Sequence, residues 1–360
     1  MTDAPASIGF VGAGWRSDAY FTVAQARPDL FSIDGVFCRS DATAQRVARR
    51  WGLPSTTAER EFFARRFDYV VLCVPRDLVS DLLTLSLDAG LPTLVETPLA
   101  ASTEELAALY RRWATAPIQS AEQYRYQPSH AARIAVADSG LLGSVGTAEV
   151  SVAHDYHGVS LIRRILGTGF SPVSIRASAI DEPVVGTLGR AGWAPELVAT
   201  TARRVRAELR FDNGTTGLYD FTGEQYFSPI RSRRLAIRGE RGELCNDEVT
   251  YMRAPAHPVR QQLQRDHTGT DGDLDGLHLR GIALGDDLVY RNPLAPARLS
   301  DDEIAIGTVL TEMRRLVDSG TPFYGIDEAC EDQYLAGLMQ RAITTGAVER
   351  AHARPWAPSA

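Results

Sequence analysis

Residues 7–17, SIGFVGAGWRS, decide the fold of this chain. The apolar run up to Gly12 predicts a short strand, and a helical stretch begins just after Gly14. A strand that turns on glycines into a helix lets the backbone approach a pyrophosphate at the helix N-terminus, where amide groups and the helix dipole point outward. Ser17 stands in the place of a third glycine and is small enough to keep the helix close to the strand. The stretch therefore predicts a dinucleotide-binding turn, and the alternative is a glycine-rich turn without a ligand.

The same rhythm of strand and helix continues through the first third of the chain. The predicted elements are FSIDGVFC (31–38), a helix ending at Gly52, YVVLCV (69–74), a helix ending at Gly90, PTLVET (92–97), and a helix opened by Ser102 and Glu105 as a capping box. Strands separated by helices of this length form a parallel sheet wound on both faces. We therefore predict a doubly wound α/β domain, which binds the dinucleotide, over residues 1–121.

The pattern changes after residue 122. Longer alternating runs predict half-buried antiparallel strands at 145–156, 203–211, 215–223 and 232–239. The other predicted features are a hairpin turn at Asp212-Asn213-Gly214, long loops with short strands from about 254 to 300, and helices from about Asp301 to Asp318 and Asp327 to Thr345. We therefore predict a second α/β domain with an open, mostly antiparallel sheet over residues 122–345, with C-terminal helices able to pack back on the first domain, and a tail at 346–360.

Composition and charge exclude several classes of protein. The 360 residues are 44% hydrophobic and 23% charged, and 38 basic residues against 45 acidic ones leave a net charge of −7. Every basic residue is arginine, and the arginines form no stripe, so we expect no nucleic-acid partner and no catalytic lysine. The four cysteines form no CxxC pair, which argues against a zinc site or a disulfide framework. No apolar run reaches ~18 residues and no basic region precedes the first strand, so we expect no membrane segment and a cytoplasmic location.

The end of the second predicted strand discriminates between NAD and NADP. An NAD-binding domain commonly carries a carboxylate there for the adenosine ribose hydroxyls, and that carboxylate repels a 2′-phosphate. This chain has Arg39 and Ser40, a guanidinium and a hydroxyl that a 2′-phosphate prefers. Asp41 lies one position further and is expected to cap the next helix. The sequence thus favours NADP, with NAD still open, and the alternative is that Arg39 only faces solvent.

Five motifs give the chain a resemblance to a known family over nearly its whole length. They are VGAGWRS (11–17), YVVLCVP (69–75), AGLPTLVETPLA (89–100), GLLGSVGTAEV (140–150) and HGVSLIRRILG (157–167). With them the chain resembles the Gfo/Idh/MocA oxidoreductases, which implies an N-terminal Rossmann domain and a C-terminal α/β domain whose open sheet covers the nicotinamide end. The resemblance also implies a carbohydrate-like small-molecule substrate and a homo-oligomer, either a dimer or a tetramer. It implies cofactor contacts at Gly12, Gly14, Trp15, Arg16, Pro75 and Glu96.

The chain departs from the family pattern at the positions that carry the chemistry. The family lysine that hydrogen-bonds the reacting oxygen follows a glutamate, and this chain has Glu96-Thr97-Pro98 there. The family aspartate that follows a histidine by three residues is replaced by Ser160, after His157. A family histidine after the third strand is also missing. The neutral hydroxyl of Thr97 donates a hydrogen bond but is no general base, so we expect Thr97 to bind substrate.

His157 is the titratable group that the chain keeps at a family position. If the preceding strand stays extended, Asp155 shares a face with His157, and its carboxylate would fix the imidazole tautomer and raise its basicity. On the helix that follows, Ser160 and Arg164 lie on the side of His157, with Arg163 beside Ser160. The set suggests an imidazole that transfers a proton next to arginines that bind an anionic group. The alternative is that His157 caps the helix and the arginines face solvent.

Tyr124 and Tyr126 follow the last predicted strand of the first domain, close to the predicted hinge. Either tyrosine could transfer the proton that the missing lysine would have handled, if a cation such as Arg125 lowers its ordinary pKa of about 10. The equal alternative is that both rings pack against the sheet.

Three functions are compatible with these residues. The leading one is an NADP-dependent oxidoreductase acting on a hydroxyl, carbonyl or imine carbon of a sugar or related polar molecule, with His157 exchanging the proton. The second is a non-redox lyase, epimerase or glycoside-cleaving enzyme that keeps its nicotinamide bound. The third is a catalytically inactive cofactor-binding sensor or scaffold. We expect no metal, because His154, Asp155 and His157 alternate in direction along a strand and cannot converge.

Overall fold

The computed structural model describes residues 4–190 and 192–357, and its contacts group the chain into two compact units. The first unit takes three segments, Met1–Ser129, Arg265–Gly281 and Arg291–Cys330. The second takes His130–Gln264, Ile282–Tyr290 and Glu331–Ala360. The domain boundaries at 121 and 345 stay predictions. Among the described residues, no helix is long and apolar enough to cross a membrane.

Helices and strands alternate early in the chain, and strands dominate its middle. The helices are α1 (Trp15–Ala26), α2 (Asp41–Trp51), α3 (Glu59–Phe63), α4 (Val79–Asp88), α5 (Thr103–Trp113), α6 (Pro128–Asp138), α7 (Asp155–Leu166), α8 (Asp301–Ser319) and α9 (Ile326–Thr345). The strands are β1 (Ala6–Val11), β2 (Phe31–Phe37), β3 (Ser55–Thr56), β4 (Tyr69–Leu72), β5 (Thr93–Val95), β6 (Ile118–Ser120), β7 (Val145–Ser151), β8 (Val173–Val185), β9 (Leu188–Gly189), β10 (Gly192–Trp193), β11 (Ala199–Phe211), β12 (Thr216–Thr222), β13 (Arg234–Gly239), β14 (Gly242–Cys245), β15 (Glu248–Ala254), β16 (His257–His267), β17 (Leu279–Leu284), β18 (Asp287–Arg291) and β19 (Glu349–Arg350). Single turns of 3-10 helix lie at Arg76–Leu78, Tyr124–Tyr126 and Gly223–Tyr226.

The first unit is built on a six-stranded parallel sheet in the order β3-β2-β1-β4-β5-β6. The strand order reverses at β1 and β4, as in a doubly wound dinucleotide-binding sheet, so the predicted Rossmann fold is confirmed. Its core includes Phe10 of β1, Val71 of β4 and Met313 of α8, all fully buried. Burying each apolar side chain of this size stabilises the fold by about 1.5–3 kcal/mol. The capping box at Ser300 and Glu303 begins α8, because each residue satisfies a backbone N–H of the other.

The second large sheet has eleven strands in the order β18-β17-β16-β15-β14-β13-β7-β12-β11-β8-β19. Strands β8 and β11 pair antiparallel over their whole length, from Val173 opposite Phe211 to Val185 opposite Ala199. Strands β7 and β12 are parallel, so the sheet is mixed and mostly antiparallel, as predicted. The predicted hairpin turn joins β11 to β12, with Gly214 at a φ of +88°.

The prediction of long loops between 254 and 300 was wrong in part. Strands β16, β17 and β18 occupy much of that stretch, and β16 is eleven residues long. Leu263 is the one buried residue of β16. Because the other side chains of β16 are exposed or half-buried, the strand lacks the alternation of apolar and polar residues that marks a half-buried strand in a sequence.

Candidate active site

The turn after β1 has the geometry that a bound pyrophosphate requires. Gly12 has a φ of +104°, and a Cβ built on it would lie 2.2 Å from the carbonyl oxygen of Cys73. Only glycine therefore fits at this position. Gly14 is the N-cap of α1, no side chain of the described residues caps it, and a Cβ there would meet nothing within 4 Å. The N-terminus of α1 therefore has no side-chain cap among the described residues and leaves space beside Gly14, which fits the predicted dinucleotide.

The Arg16 side chain makes contacts inside the protein that the sequence did not predict. Its guanidinium donates to Glu96 at 3.0 Å and pairs with Asp302 at 2.5 Å. Burial by itself lowers the pKa of Arg16, but the charges of Glu96 and Asp302 outweigh burial and raise it above the ordinary value. The Tyr20 hydroxyl donates to the same Glu96 oxygen at 2.7 Å. Side-chain contacts from Arg16 or Glu96 to a cofactor are therefore not favoured, and the backbone of Arg16 is the better candidate.

Thr97 lies directly after β5, next to the carboxylate that Arg16 and Tyr20 hold. Its N–H donates to the second oxygen of Glu96 at 3.2 Å, and its peptide bond to Pro98 is cis. The residue is half-buried, and its hydroxyl makes no hydrogen bond with any residue that the structure describes. The hydroxyl is therefore available to a ligand, as the sequence predicted for a substrate contact.

Two arginines follow the end of β2, where the carbonyl oxygen of Phe37 accepts the N–H of Gly12 in the phosphate-binding turn. Arg39 is exposed and has no hydrogen bond or ion pair with the described residues. Arg46 of α2, which the sequence analysis did not single out, donates to the carbonyl oxygen of Ala13 at 2.9 Å. Burial raises the pKa of the Cys38 thiol, and the charge of Arg46 offsets part of that rise, so this guanidinium lies near the end of β2 as well. The sequence signal for Arg46 would have been its position in the second turn of the helix that begins just after Arg39 and Ser40.

Ser40, not Asp41, caps α2. The Ser40 hydroxyl accepts the N–H of Thr43 and donates to the Thr43 hydroxyl at 3.0 Å. Asp41 is the first residue of the helix, where its charge suits the positive end of the helix dipole. The expectation that Asp41 is the cap was therefore wrong. The Ser40 hydroxyl already caps α2, so a contact with a 2′-phosphate would have to be made in addition to the cap.

Of the two tyrosines in the segment after β6, Tyr126 has a packing role. Tyr126 packs against the core of the first unit, with its ring centroid 6.5 Å from that of Phe323. The Arg125 guanidinium lies over the rings of Tyr126 and Tyr324, at 5.9 and 4.5 Å. The N–H of Tyr124 donates to Glu122 at 3.1 Å. Tyr124 is half-buried and remains the better candidate of the pair.

Pro75 keeps its predicted place just after β4. It is the N-cap residue of the single turn Arg76–Leu78, and the carbonyl of Cys73, two residues before it, faces Gly12. Pro75 therefore lies close in the sequence to the turn where the cofactor is expected, and its cofactor contact stays a prediction.

The helix that carries His157 begins earlier than the sequence indicated. Asp155 is the first residue of α7, with a φ of +37°, so the strand does not extend to His157. The Asp155 N–H donates to the Tyr219 hydroxyl at 2.9 Å, and its carboxylate accepts a hydrogen bond from Gln340 at 3.2 Å. The predicted pairing of Asp155 with His157 was therefore wrong. Asp155 is half-buried and His157 is 5% exposed.

The three polar residues that follow on α7 differ in their surroundings. Ser160 and Arg163 are buried, and Arg164 lies near the surface. Ser160 is buried, and its hydroxyl has no hydrogen-bond partner among the described residues. The Arg163 guanidinium pairs with Asp332 at 2.6 Å and donates to the Gly169 carbonyl at 2.8 Å. Arg164 pairs with Asp138 at 2.5 Å near the surface. The buried pair with Asp332 argues against the predicted binding of an anionic substrate by Arg163, whereas for Arg164 that role stays a prediction.

Four rings form a cluster at the start of α7, and two of them were missed from the sequence. The centroid of His154 lies 4.9 Å from that of His157 and 5.8 Å from that of Tyr226, and the centroids of Tyr156 and His157 are 4.4 Å apart. Tyr226 comes from the 3-10 turn after β12, so no local pattern links it to α7. His154 was considered only as a metal-binding type. We call these four residues the His154 cluster.

Comparison with known proteins relates the first part of the chain to a family model. Residues 6–120 match the model of GFO_IDH_MocA, an oxidoreductase family with an NAD-binding Rossmann fold. Over 238 residues, the chain is 28% identical to D-xylose 1-dehydrogenase (NADP(+)) 2 of Haloferax volcanii, an alignment of 59% of this chain and 70% of that protein.

Two solved structures show the same fold over nearly the whole chain. An oxidoreductase from Agrobacterium radiobacter in complex with NAD+, L-tartaric acid and magnesium has a TM-score of 0.69 at 14% identity, covering 97% of this chain and 98% of that one. Levoglucosan dehydrogenase in complex with NADH and levoglucosan has a TM-score of 0.68 at 16% identity, covering 97% and 99%. Residues 6–120 thus match the NAD-binding Rossmann domain of this oxidoreductase family, and the match supports an NAD(P)-dependent oxidoreductase.

Proposed function

We propose that the protein is an NADP-dependent oxidoreductase that acts at a hydroxyl or carbonyl carbon of a sugar or a related polar small molecule. The single observation that carries the cofactor choice is Arg39, which is exposed directly after β2 and has no partner among the described residues. Its guanidinium is a bidentate donor of the kind that a 2′-phosphate prefers. The NADP-dependent xylose dehydrogenase and the levoglucosan dehydrogenase support a sugar-like substrate by their names.

The side chains divide the work between binding and proton transfer. The bound nicotinamide dinucleotide supplies or accepts the hydride. Gly12 and Gly14 let the backbone of α1 bind its phosphates, and Arg39 with Arg46 selects the phosphorylated ribose. Thr97 donates a hydrogen bond to a substrate oxygen, and the imidazole of His157 exchanges the proton of the reacting hydroxyl.

Steady-state kinetics with both cofactors test the cofactor choice. We expect a lower KM for NADP+ than for NAD+, measured with a panel of aldoses and polyols, and we expect Arg39→Ala to weaken NADP+ binding while leaving NAD+ binding unchanged. Arg49→Ala is a matched control, because Arg49 is an exposed arginine at the other end of α2. Equal affinities for the two cofactors, unchanged in Arg39→Ala, would contradict the proposal.

Cofactor exchange separates the proposed reaction from the retained-cofactor alternative. A dehydrogenase releases its oxidised or reduced cofactor in each cycle, whereas an enzyme that re-reduces its own intermediate keeps it. We expect purified protein to carry little bound nicotinamide, as judged by ultraviolet absorbance and mass spectrometry after denaturation. A stoichiometric bound cofactor that dialysis does not remove, together with turnover that needs no added cofactor, would favour the lyase or epimerase.

We also propose that the chain forms a homo-oligomer. The far end of the β8–β11 hairpin exposes several large apolar side chains, namely Ile180, Leu188, Trp193, Leu197 and Val198. Exposed apolar residues concentrated in one segment are typical of an interface. Light scattering coupled to size exclusion is expected to give the mass of a dimer or tetramer, and a monomer at micromolar concentration would contradict this.

A further inference from the structure

The Tyr226 hydroxyl contacts His154 at two separate atoms. The backbone N–H of His154 donates to the Tyr226 oxygen at 3.0 Å. The same oxygen is hydrogen-bonded to Nδ1 of the His154 imidazole. The Tyr226 ring is itself held in place, because it packs on Phe221 with 5.0 Å between centroids and Arg233 donates to its main-chain carbonyl. The contact between Tyr226 and His154 is therefore part of a supported arrangement.

The hydrogens available at these atoms favour one form of the imidazole. A backbone N–H can only donate, so the Tyr226 oxygen uses one lone pair to accept it. The phenol has one hydrogen of its own, and Nδ1 of the same residue lies within reach of it. If Nδ1 accepts that hydrogen, the neutral imidazole must carry its own hydrogen on Nε2.

We propose that Tyr226 sets the tautomer of His154, so that Nε2–H of His154 is a second hydrogen-bond donor for the substrate oxygen beside His157. The chain contains no lysine, so a cationic donor to the reacting oxygen from that residue type is excluded and the hydrogen bond must come from another side chain. His154 meets this need because its ring lies edge-on to that of His157, with 4.9 Å between centroids, and His154 is half-buried, not fully enclosed. Tyr226 is thus a positioning residue. The role in turnover rests on the proposed function, whereas the tautomer does not.

Two other polar side chains at the start of α7, Asp155 and Tyr219, make hydrogen bonds to other groups. The nearest carboxylate in the sequence, Asp155, accepts its hydrogen bond from Gln340 of α9. The second tyrosine of this region, Tyr219, accepts the N–H of Asp155 and does not contact the imidazole of His154 through that bond. Burial raises the pKa of Tyr219, so this phenol stays neutral. Tyr219→Phe is therefore a matched control that removes a tyrosine hydroxyl from the same helix end.

Nuclear magnetic resonance of protein labelled with ¹⁵N-histidine reads the tautomer directly. The signals of His154 are identified as those lost in His154→Gln. In the wild type at neutral pH, we expect unprotonated Nδ1 and protonated Nε2, and in Tyr226→Phe we expect a mixture of tautomers, with Tyr219→Phe unchanged. An Nδ1–H tautomer in the wild type, or a tautomer that Tyr226→Phe does not alter, would overturn the proposal whether or not a substrate is known.

Two variants of His154 test the role in turnover. Glutamine places an amide N–H near the position of Nε2, and asparagine places one near Nδ1, so we expect His154→Gln to keep more activity than His154→Asn. Losing one neutral hydrogen bond corresponds to about three- to tenfold in rate, so Tyr226→Phe is expected to lower kcat by about that factor with the Kd for NADP+ unchanged. Full activity in His154→Asn and Tyr226→Phe would overturn the role in turnover. If the wild type oxidises no sugar or polyol, the proposed function fails, and the tautomer is still decided by the resonance experiment.

Discussion

The Arg163 guanidinium and the Asp332 carboxylate form an ion pair at 2.6 Å in which each side chain is only 4% exposed. The pair joins α7, which carries His157, to α9 inside the second unit. A buried pair of this kind contributes little when intact, compared with apolar residues of the same volume, but an unpaired buried charge is costly. Arg163 therefore supports the position of α7 and is not available to a substrate.

Replacing Arg163 by methionine is expected to destabilise the protein by about 3–5 kcal/mol, because it leaves the Asp332 carboxylate buried without its cation. Chemical denaturation measures the loss. Arg164→Met is the matched control: its pair with Asp138 is 36% and 52% exposed, so the expected cost is below about 1 kcal/mol. A stable Arg163→Met variant with a strongly raised KM for the substrate would instead restore the anion-binding role that the sequence suggested.

Stability is expected to fall with acidification through His130. Burial, together with the charges of Arg133 and Arg233, lowers the pKa of His130 to about 3, from an ordinary value of 6.5. Because the folded-state pKa is the lower one, the unfolded chain binds a proton that the folded chain rejects between pH 6.5 and 3. The free energy of unfolding should therefore drop by about 2 kcal/mol from pH 7 to pH 5 through this residue alone.

His130→Gln should remove that part of the pH dependence. His257→Gln, which changes an exposed histidine of β16, should leave the wild-type profile. The free energy of unfolding of the second unit, measured in urea at both pH values, decides between them. A pH profile that is the same in His130→Gln and the wild type would assign the acid sensitivity to other groups.

Alanine at the two glycines of the phosphate-binding turn should give different phenotypes. Gly12→Ala places a Cβ 2.2 Å from the carbonyl oxygen of Cys73 and forces alanine to a φ of +104°, so both stability and cofactor binding should be lost. Gly14→Ala meets nothing within 4 Å, so its stability should stay within about 1 kcal/mol of the wild type while NADP+ binding weakens. Thermal unfolding and fluorescence titration separate the two effects. Unimpaired NADP+ binding in Gly14→Ala would mean that the phosphates bind elsewhere.

Thr97→Ala should keep measurable activity. A neutral hydroxyl contributes one hydrogen bond, about 0.5–1.5 kcal/mol net, so the expected loss in kcat/KM is at most about tenfold. Thr97→Ser keeps the hydroxyl and should stay close to the wild type, and Thr97→Lys should not improve turnover on the native substrate. If Thr97→Ala abolishes activity as completely as the loss of a general base would, the role given to Thr97 is wrong.

His157→Gln should lower turnover by at least two decades, since removing a positioned acid or base costs on the order of 10²–10⁴ in rate. The variant should still bind NADP+, because the phosphate-binding turn belongs to the first unit. Near-normal turnover would mean that another group transfers the proton, and Tyr124 would be the first candidate. An unfolded variant would show that His157, which is 5% exposed, is needed for packing.

Local signals in the sequence predicted most of the first unit. The glycines at 12 and 14 and the cap at Ser102 each act within a few residues, so the sequence displays them directly. The hairpin turn before β12 is a signal of the same kind. The six-stranded sheet follows from these elements because parallel strands that alternate with helices have few ways to pack.

The site was predicted less well because its contacts join residues that are far apart in the chain. Tyr226 meets His154 across 72 positions, and Asp332 meets Arg163 across 169. No periodicity connects such pairs. The pairing of Asp155 with His157 failed for a different reason, since it assumed an extended backbone where α7 has already begun. The full length of strand β16 was not predicted because most of its side chains are exposed and give no apolar alternation.

The contacts that α1 makes with Glu96 limit how the cofactor preference of the enzyme can be changed. In the proposed site, the first amides of α1 would bind the cofactor phosphates. Through Arg16 and Tyr20, the same helix fixes the carboxylate that precedes Thr97. Any change that shifts this helix to suit a different dinucleotide would also displace the hydroxyl offered to the substrate. Arg39 lies outside this linkage, on the loop between β2 and α2. Cofactor preference should thus be open to change at Arg39 without cost to substrate selectivity, whereas mutations along α1 would alter both properties together.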